Sequence, residues 1–463
     1  MERRPKSDLL RGDPRLALVA ILAAAAALRL PGIRYGLPFG NLLNPDEQSI
    51  VPRAWRMVHG GGLDPEWFDY PTLVLYLLAP FQGWQGSPSY LSARLVVAAL
   101  GVAAVAASWW LGRRAYGAAA GVVAAGVVAV QTTHVAYSHM AVTDVPLTLG
   151  VAASLALMIS GRLEWAGLVA GLAAGAKYPG VFLAFPLLVS AWGQWRRLAL
   201  SAALGVAAFV GTSPFVAVHS ELARDEALRV QRLAREGWLG FEHDSFALFA
   251  FSGRVWWTFG PVALVAVAGL AVALRERRRA DLALSVFVLV YFANLLTLGA
   301  HFDRYLLPLV PALGALAGRI RPLVPLAILF LAVPLAWSIR DDVRLTRTDT
   351  RVAAADWLER NLPQGARVAA DPSTPAVRGI VLPLLLPGPK RGFDSNRAVD
   401  RLREQGISHV LVTGAVADRV LAARDRYPRE ARFYADLRTR ARRLYYVSSG
   451  KGLAGPWVAL YRL

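Results

Sequence analysis

The sequence of 463 residues contains no cysteine, very little lysine and few charged residues for its length. Without cysteine, a disulfide framework, a thiolate metal site and a cysteine nucleophile are all excluded, while the redox compartment stays open. Charged residues make up 18% of the chain, against about 25% in soluble globular domains, and hydrophobic residues make up 55%. The composition therefore indicates a membrane protein.

The excess of positive charge comes almost entirely from arginine. The formal net charge is +19, and only four of the 51 basic residues are lysine. The arginines lie mainly in the segments between apolar runs, where membrane lipids are the expected partner. We therefore predict no nucleic-acid binding.

Long apolar runs dominate the first 340 residues. About 20 apolar residues cross a bilayer, and somewhat fewer suffice inside a bundle. We predict about eleven spans and so a mainly α, polytopic helix bundle. A re-entrant hairpin remains an alternative for the short fifth and sixth runs. The predicted spans are 16–33, 91–111, 117–134, 143–160, 163–176, 178–192, 198–217, 255–274, 281–299, 304–318 and 322–338.

The short connecting segments predict the orientation of the bundle. If the N-terminus is cytoplasmic, the six inner segments hold 16 Lys and Arg, and the three short outer connections hold only Lys177 and Arg304. An excess of basic residues marks the cytoplasmic side. We therefore predict a multi-pass protein of the inner cell membrane with a cytoplasmic N-terminus.

The composition changes after Trp337, which predicts a second domain. We assign residues 1–340 to a transmembrane domain with a long first outer loop at 34–90, and residues 341–463 to a small α/β domain. Its predicted helices lie near 351–361 and 396–405, and its strands near 366–370, 408–412, 443–448 and 456–462. With an odd number of spans, this domain is predicted to be extracytoplasmic. An excess of arginine suggests a solvated surface, binding to anionic lipid or the guidance of an acidic acceptor.

Several carboxylates lie at the outer ends of the predicted spans together with a few basic and histidine residues, whereas the span interiors carry almost no charge. A carboxylate at a membrane interface is costly and usually has a partner or a function. The residues that we single out are Asp46, Glu47, Asp69, Tyr70, His134, His139, Asp144, Lys177, His301, Asp303 and Arg304.

Such a cluster is suited to sugar transfer. A carboxylate takes the proton of an acceptor hydroxyl as its oxygen attacks the anomeric carbon, and cations neutralise the departing phosphate. Carboxylates also bind Mg²⁺ or Mn²⁺, but no spacing demands a metal. The metal site is therefore unknown, and a divalent cation is an open alternative to chemistry without a cofactor.

Three short motifs together resemble a known group of proteins. They are AsnProAspGlu at 44–47, AspTyrProThrLeu at 69–73 and ThrAspValPro at 143–146. In this order they resemble the membrane glycosyltransferases of the GT-C fold, in the branch of the dolichyl-phosphate-mannose protein mannosyltransferases and the lipid A aminoarabinose transferases. The stretches AlaLysTyrProGly at 176–180 and ArgTyrLeuLeuPro at 304–308 are also similar to recurring stretches of that group.

The resemblance implies a lipid-linked sugar donor on a polyprenyl phosphate, an acceptor of unknown identity and chemistry on the outer face. Asp46 would be the catalytic carboxylate, with Glu47 beside it and Asp144 as a further catalytic candidate. The family's second acidic residue falls on Asp69. The lysine that usually follows is replaced here by Tyr70, so Lys177 and Arg304 are the candidates for the phosphate contact.

Each candidate has a plainer interpretation. Asp46 and Asp144 are also suited to cap helices, the Asp69–Tyr70 pair precedes a proline and suits an ordinary turn, and Lys177 is placed to reach the lipid head groups. His134 and the substrate-binding candidate His139 are more often interface residues than ligands. The substrate-binding candidate His301 lies with Arg304 in a tight outer turn, where Asp303 and Arg304 also suit a plain surface role. A transporter or lipid flippase with a periplasmic appendage is the alternative function.

Overall fold

The computed structural model describes residues 14–40 and 42–463. The N-terminal tail, on which the predicted cytoplasmic N-terminus rests, and Asn41 lie outside the described residues. Up to Leu345 the described chain is helical, and the remainder mixes helices with strands. The helices of the first part are α1 (Pro14–Ala27), α2 (Glu47–Met57), α3 (Leu73–Leu78), α4 (Tyr90–Tyr116), α5 (Ala118–Val130), α6 (Thr132–Ser138), α7 (Asp144–Ile159), α8 (Leu163–Ala176), α9 (Ala184–Ser190), α10 (Trp195–Thr212), α11 (Pro214–Val218), α12 (Ser220–Glu236), α13 (Ala247–Phe259), α14 (Val262–Glu276), α15 (Arg279–Leu295), α16 (Val310–Ala317), α17 (Val324–Phe330) and α18 (Ala332–Leu345).

Helix α5 lies at the centre of the bundle. Its sequence, of alanine, valine and glycine alone, is apolar on every side, and nearly all of its residues are buried. A helix that is hydrophobic all round has no face for water and is placed in the interior. Helices α1, α4 and α16 pack around it.

The prediction of eleven spans is not confirmed. In the described part of the chain, two helical stretches, Tyr90–Tyr116 and Arg321–Leu345, are long and apolar enough to cross a membrane. Two bent pairs raise that number to four if each pair is one span. The other apolar runs form shorter helices. For example, α7 has 16 residues and is about 24 Å long at 1.5 Å per residue, against about 30 Å for a bilayer core.

Several predicted spans break because proline, glycine or a polar residue interrupts the helix. The predicted span 255–274 begins inside α13, which meets α14 at an angle of 118° after Gly260. The predicted span 304–318 begins with a 3-10 helix, Asp303–Leu309, that contains Pro308. Further 3-10 helices are Ala79–Gln82, Tyr178–Leu183 and Arg321–Leu323.

A buried arginine stabilises one of these breaks. Helices α5 and α6 bend by 58° around Gln131, which frees carbonyl groups at the end of α5. Arg29 is fully buried and donates to the carbonyls of Val128 and Ala129 at 3.0 and 3.1 Å. It also contacts His134 Nδ1 at 2.9 Å. His134 is therefore part of this structural contact, as its plainer interpretation suggests.

Helices α8 and α10 approach each other closely through glycine. A Cβ atom built on Gly171 would lie 2.0 Å from the carbonyl oxygen of Gly205, and one on Gly167 would lie 2.1 Å from that of Ser201. Because small residues let two backbones approach closely, these glycines fix the position of α8, the helix that ends immediately before Lys177.

The residues after Leu345 contain a five-stranded sheet in the order β3-β2-β4-β7-β5. Strands β3, β2 and β4 are parallel, and β7 pairs antiparallel with β4 and β5. Each predicted strand and helix of this region has a counterpart within a few residues, although α18 continues past the predicted domain boundary at 340. The elements are β1 (Thr348–Asp349), α19 (Thr350–Asn361), β2 (Arg367–Ala370), β3 (Ile380–Pro383), α20 (Val399–Glu404), β4 (His409–Thr413), α21 (Gly414–Ala422), α22 (Pro428–Arg440), β5 (Arg442–Val447), β6 (Leu453–Ala454) and β7 (Val458–Arg462).

Candidate active site

Asp46 lies immediately before α2, where an aspartate usually caps the helix. Its side chain makes no capping hydrogen bond. Instead, Asp46 Oδ2 accepts hydrogen bonds from Arg304 Nη1 at 2.7 Å and from the hydroxyl of Tyr70 at 2.9 Å. The capping interpretation of Asp46 is therefore wrong.

Tyr70 and Arg304 reach Asp46 from distant parts of the sequence. Tyr70 follows Asp69 in the turn before α3, and Arg304 is the second residue of the 3-10 helix Asp303–Leu309. That helix is packed against α6, α7 and α16, which fixes the backbone from which Arg304 extends. The side chain of Arg304 is 15% exposed and that of Asp46 19%, so the ion pair is largely, but not fully, removed from solvent.

A second ion pair lies beside the first. Lys177 Nζ donates to Asp144 Oδ1 at 2.6 Å, and the Lys177 ammonium lies 5.2 Å from the centre of the Tyr70 ring. Lys177 stands in an extended conformation between α8 and the 3-10 helix Tyr178–Leu183, so its side chain leaves the helix axis. Because only 10% of that side chain is exposed, the interpretation that Lys177 reaches the lipid head groups is wrong.

Asp144 is the first residue of α7 and makes no capping hydrogen bond through its side chain. The cap position belongs to Thr143, whose side chain does not cap the helix either. Asp46, Tyr70, Asp144, Lys177 and Arg304 thus form one contiguous group, which we call the acid–base cluster.

The acid–base cluster combines two carboxylates with two cations. Burial by itself would raise the pKa of the Asp46 carboxyl, but Arg304, Lys177 and Tyr70 hold that pKa below its usual value. Burial raises the pKa of the Tyr70 hydroxyl. Tyr70 therefore stays protonated and donates a hydrogen bond to Asp46. Burial lowers the pKa of Lys177, and Asp144 opposes that change. The cluster therefore holds Asp46 ionised at neutral pH.

Two buried polar atoms of the cluster are left without a hydrogen-bond partner among the described residues. They are Nε of Arg304, a donor, and Oδ2 of Asp144, an acceptor. Buried polar atoms in native proteins are almost always hydrogen-bonded to protein or to something else. These two atoms are therefore positioned to contact a ligand that offers both an acceptor and a hydroxyl donor.

Glu47, the neighbour of Asp46, has a different environment. It forms a fully buried bidentate pair with Arg94 of α4, at 2.8 and 2.6 Å, and its Oε1 also accepts from the Ala141 backbone N–H at 2.8 Å. Both oxygens are occupied, so this carboxylate links the first loop to α4 and is not open to a substrate. Arg94 was not among the residues that we singled out from the sequence. Its position inside the predicted span 91–111 was the one feature that pointed to a buried partner.

The remaining predicted substrate-binding residues lie outside the acid–base cluster. Asp69 Oδ1 accepts from Arg229 Nη2 of α12 at 2.5 Å. His139 lies between the carbonyls of Val135 and Pro31, at 2.9 and 2.8 Å. His301 contacts Asp244 at 2.9 Å. Each of these side chains joins two segments of the protein, so none is directed toward Asp46.

Helix α12 lies in a second long connection, residues 218–254, which we call the second outer connection. Helix α12 holds the first outer loop in place. Besides the Asp69–Arg229 pair, Glu226 accepts a hydrogen bond from the Phe68 backbone N–H at 2.5 Å, and His219 contacts Asp64 at 2.7 Å. The alternating charges of α12 were the only signal of this contact.

Within residues 14–40 and 42–463, no group of three or more histidine, aspartate or glutamate side chains is arranged to hold a metal ion. Asp303 lies next to Arg304, but its Oδ2 is turned toward Thr133 Oγ1, at 3.3 Å. Burial raises the pKa of Asp303, which its neighbours oppose.

Comparison of folds relates the chain to solved structures. ArnT from Cupriavidus metallidurans, bound to undecaprenyl phosphate, matches with a TM-score of 0.59 at 17% identity, over 96% of this chain and 97% of that one. The oligosaccharyltransferase AglB from Archaeoglobus fulgidus, in complex with an inhibitory peptide and a dolichol-phosphate, matches with a TM-score of 0.53 at 13% identity, over 96% and 74%. At these identities the likeness shows the fold.

Comparison of sequences gives the family. No curated protein matches the chain, but the model of glycosyltransferase family 87 matches residues 67–299, which is half of the chain. The matched range contains Tyr70, Asp144 and Lys177. The family is one of enzymes, which sets aside the transporter interpretation, and the resemblance to GT-C glycosyltransferases is confirmed. The chain therefore belongs to glycosyltransferase family 87 and is a membrane glycosyltransferase of the GT-C fold.

Proposed function

We propose that this enzyme transfers a sugar from a polyprenyl-phosphate donor to an acceptor on the extracytoplasmic face of the inner membrane, with Asp46 as the general base. The observation that carries the proposal is the acid–base cluster: an ionised carboxylate lies in direct contact with Arg304 and next to the Lys177–Asp144 pair. In this proposal residues 1–340 carry the chemistry, and residues 341–463 lie on the same side of the membrane as the first outer loop.

The geometry of Asp46 supports its role as the base. Both of its hydrogen bonds from described residues fall on Oδ2, which leaves Oδ1 open to an acceptor hydroxyl. As the hydroxyl oxygen attacks the anomeric carbon, its proton passes to Oδ1. Because the proton becomes more acidic as the new bond forms, a carboxylate with a low pKa suffices.

The cations of the cluster support the choice of donor. When the bond between the anomeric carbon and the phosphate oxygen breaks, its electron pair leaves with the phosphate, which gains charge. Arg304 Nε has no hydrogen-bond partner among the described residues and is available to that oxygen, and Lys177 adds a second positive charge. Two proteins of similar fold hold undecaprenyl phosphate and dolichol-phosphate, the class of lipid proposed here.

Replacement of Asp46 by asparagine tests the base. Asp46→Asn keeps the size of the side chain but removes the proton acceptor, and catalysis by a positioned base contributes roughly 100- to 10,000-fold. We expect transfer from a radiolabelled polyprenyl-phosphate mannose or aminoarabinose in membranes, whichever the wild-type enzyme uses, to fall to the detection limit.

The matched control is Asp69→Asn, in the same loop but paired with Arg229 outside the cluster. It should retain at least about a fifth of wild-type transfer, because exposed ion pairs contribute about 1 kcal/mol or less. Both variants should appear in the membrane at the wild-type level. Undiminished transfer by Asp46→Asn would contradict the assignment of the base.

A further inference from the structure

A cavity of about 580 Å³ lies where the second outer connection meets the C-terminal sheet region. Its walls come from Glu242, from the turn Gly388–Arg391 with Phe393, and from residues 426–430 at the start of α22. The Tyr427 hydroxyl donates to Glu242 Oε1 at 2.6 Å, which joins the two sides. We call this cavity the arginine pocket.

Cations outnumber carboxylates in the arginine pocket. Its lining contains four basic residues, Lys390, Arg391, Arg426 and Arg429, against Glu242 and Glu430. Glu242 already accepts from Tyr427 and from the Gly240 backbone N–H. In the described part of the chain, neither Arg391 nor Arg429 forms an ion pair with a carboxylate, and the carboxylate nearest to Lys390 is 3.9 Å away.

The guanidinium groups of Arg391 and Arg429 lie near aromatic rings. Arg391 lies over Trp238 at 4.5 Å and Arg429 over Phe393 at 5.5 Å. Arg391 Nη1 also donates to the Leu386 carbonyl at 3.2 Å, and the other N–H groups of the two arginines can contact an anionic ligand. The pocket therefore combines fixed, planar cation donors with a volume in the range of small-ligand sites.

A short chain of contacts connects the arginine pocket to the acid–base cluster. The Trp238 ring, over which Arg391 lies, is 6.3 Å from the Phe302 ring, and the Arg304 guanidinium lies 5.2 Å from the centre of that same Phe302 ring. Only two aromatic rings thus separate Arg391 from the arginine that binds Asp46. A molecule in the pocket is within a few sugar units of the reacting centre.

We propose that the arginine pocket binds the acceptor, and that this acceptor is an anionic glycan with carboxylate or phosphate groups beside its sugar rings. This inference rests on the proposed function, because it names the acceptor class for that reaction. The occupant is a glycan and not a lipid head group, since the lining contains no Leu, Ile, Val or Met that would contact an acyl chain. The carboxylate of Glu430, which has no partner among the described residues, is available to a sugar hydroxyl.

The test measures binding of a labelled hexamer of galacturonic acid to the full-length enzyme in detergent. The double variant Arg391→Gln and Arg429→Gln removes the two unpaired cations. The control, Arg401→Gln and Arg442→Gln, removes the same charge from exposed positions of the same region, away from the pocket. We expect the first variant to bind the hexamer about tenfold or more weakly, because hydrogen bonds to charged groups carry the largest energies, and the control to bind as wild type.

Uncharged maltohexaose, inorganic phosphate and vesicles of anionic phospholipid identify the ligand class. The proposal expects weak binding of maltohexaose, little competition by phosphate and none by vesicles. Equal loss in the control variant would overturn the proposal, as would equal binding of maltohexaose. Competition by phosphate as strong as that by the hexamer would assign the pocket to free phosphate, and competition by vesicles would assign it to the membrane.

Two further variants keep this test separate from the proposed function. Asp46→Asn should bind the hexamer as wild type, so failure of Asp46 as the base would leave the pocket intact. Arg391→Lys with Arg429→Lys keeps both charges but loses the planar guanidinium donors, so it should bind the hexamer more tightly than the glutamine variant and more weakly than the wild type. If it binds as weakly as the glutamine variant although it remains folded, recognition by charge is contradicted.

Discussion

At the scale of single residues, the candidate site depends on how one carboxylate oxygen is shared. Asp46 Oδ2 receives both the Arg304 guanidinium and the Tyr70 hydroxyl, and the other oxygen is left for a substrate. Glu47, one residue later, is completely enclosed by Arg94 and a backbone N–H. These two adjacent acidic residues therefore have different roles. Asp46 has an oxygen available to a substrate, and Glu47 fixes the loop in which Asp46 lies.

Removal of the Tyr70 hydroxyl should change the pH dependence of transfer. The pKa of Asp46 is held below its usual value in part by the Tyr70 hydrogen bond. In Tyr70→Phe that pKa should rise, so as the pH falls Asp46 takes up a proton earlier and the base is lost at a higher pH. We expect the acid side of the pH–activity profile to move upward.

Tyr76→Phe is the matched control, because its hydroxyl donates to the carbonyl of Leu63 in an exposed position. The acid side of the pH–activity profile of Tyr76→Phe should coincide with that of the wild type. An acid limb in Tyr70→Phe that does not move would show that this hydrogen bond does not tune the base.

At the scale of secondary structure, interrupted helices place the cationic and acidic side chains. Lys177 stands at the break between α8 and the 3-10 helix that follows, and Arg304 stands in another 3-10 helix. At such breaks the backbone departs from the helix axis and presents a side chain to the space between helices. The same interruptions shorten the apolar helices, which is why a count of apolar runs exceeds the number of helices long enough to span.

The close contact between α8 and α10 should be sensitive to any added side chain. Gly171→Leu would place Cβ 2.0 Å from the Gly205 carbonyl oxygen, so the two helices must move apart. Overpacking of this kind costs about 1–3 kcal/mol or more. We expect a lower thermal midpoint in detergent and reduced transfer, since the end of α8 positions Lys177.

Gly211→Leu provides the comparison on α10 itself. A Cβ atom built on Gly211 would have no neighbour within 4 Å, and the residue is exposed. The thermal midpoint of Gly211→Leu in detergent should therefore match that of the wild type. A wild-type midpoint in Gly171→Leu would mean that the two helices do not require glycine at their contact.

At the scale of the whole molecule, the acid–base cluster and the arginine pocket must face the same side of the membrane. The second outer connection contacts both, through α12 to the first loop and through Trp238 and Glu242 to the C-terminal sheet region. If that connection crosses no membrane, the first loop and the sheet region share one compartment. The orientation itself is still a prediction from the distribution of Lys and Arg.

The absence of cysteine allows a direct test of this topology. Single cysteines at Leu63 in the first loop, Arg401 in the sheet region and Arg275 at the end of α14 occupy exposed positions. A membrane-impermeant maleimide should label Leu63→Cys and Arg401→Cys in intact cells, and Arg275→Cys only after permeabilisation. Labelling of Leu63→Cys and Arg401→Cys from opposite sides would contradict the shared compartment.

Some features of this protein were predictable because they depend on local sequence. The helices and strands after residue 350 follow from alternating and helical patterns over short windows, and they agree with the structure within a few residues. The four charged members of the cluster were also named in advance, since charge at the edge of an apolar run is visible in the sequence, and Tyr70 was named through the family resemblance. The count of eleven spans is not confirmed, because apolar composition does not reveal where a helix bends.

The sequence by itself determined the class of protein: a cysteine-free, arginine-rich chain of apolar helices with its acidic residues at one set of helix ends. Only the tertiary structure decided which side chains meet. Asp46 and Arg304 are 258 residues apart, and Glu47 instead of Asp46 is enclosed by Arg94. Such contacts depend on how whole helices pack, and side-chain spacing within one segment carries no information about a partner on another.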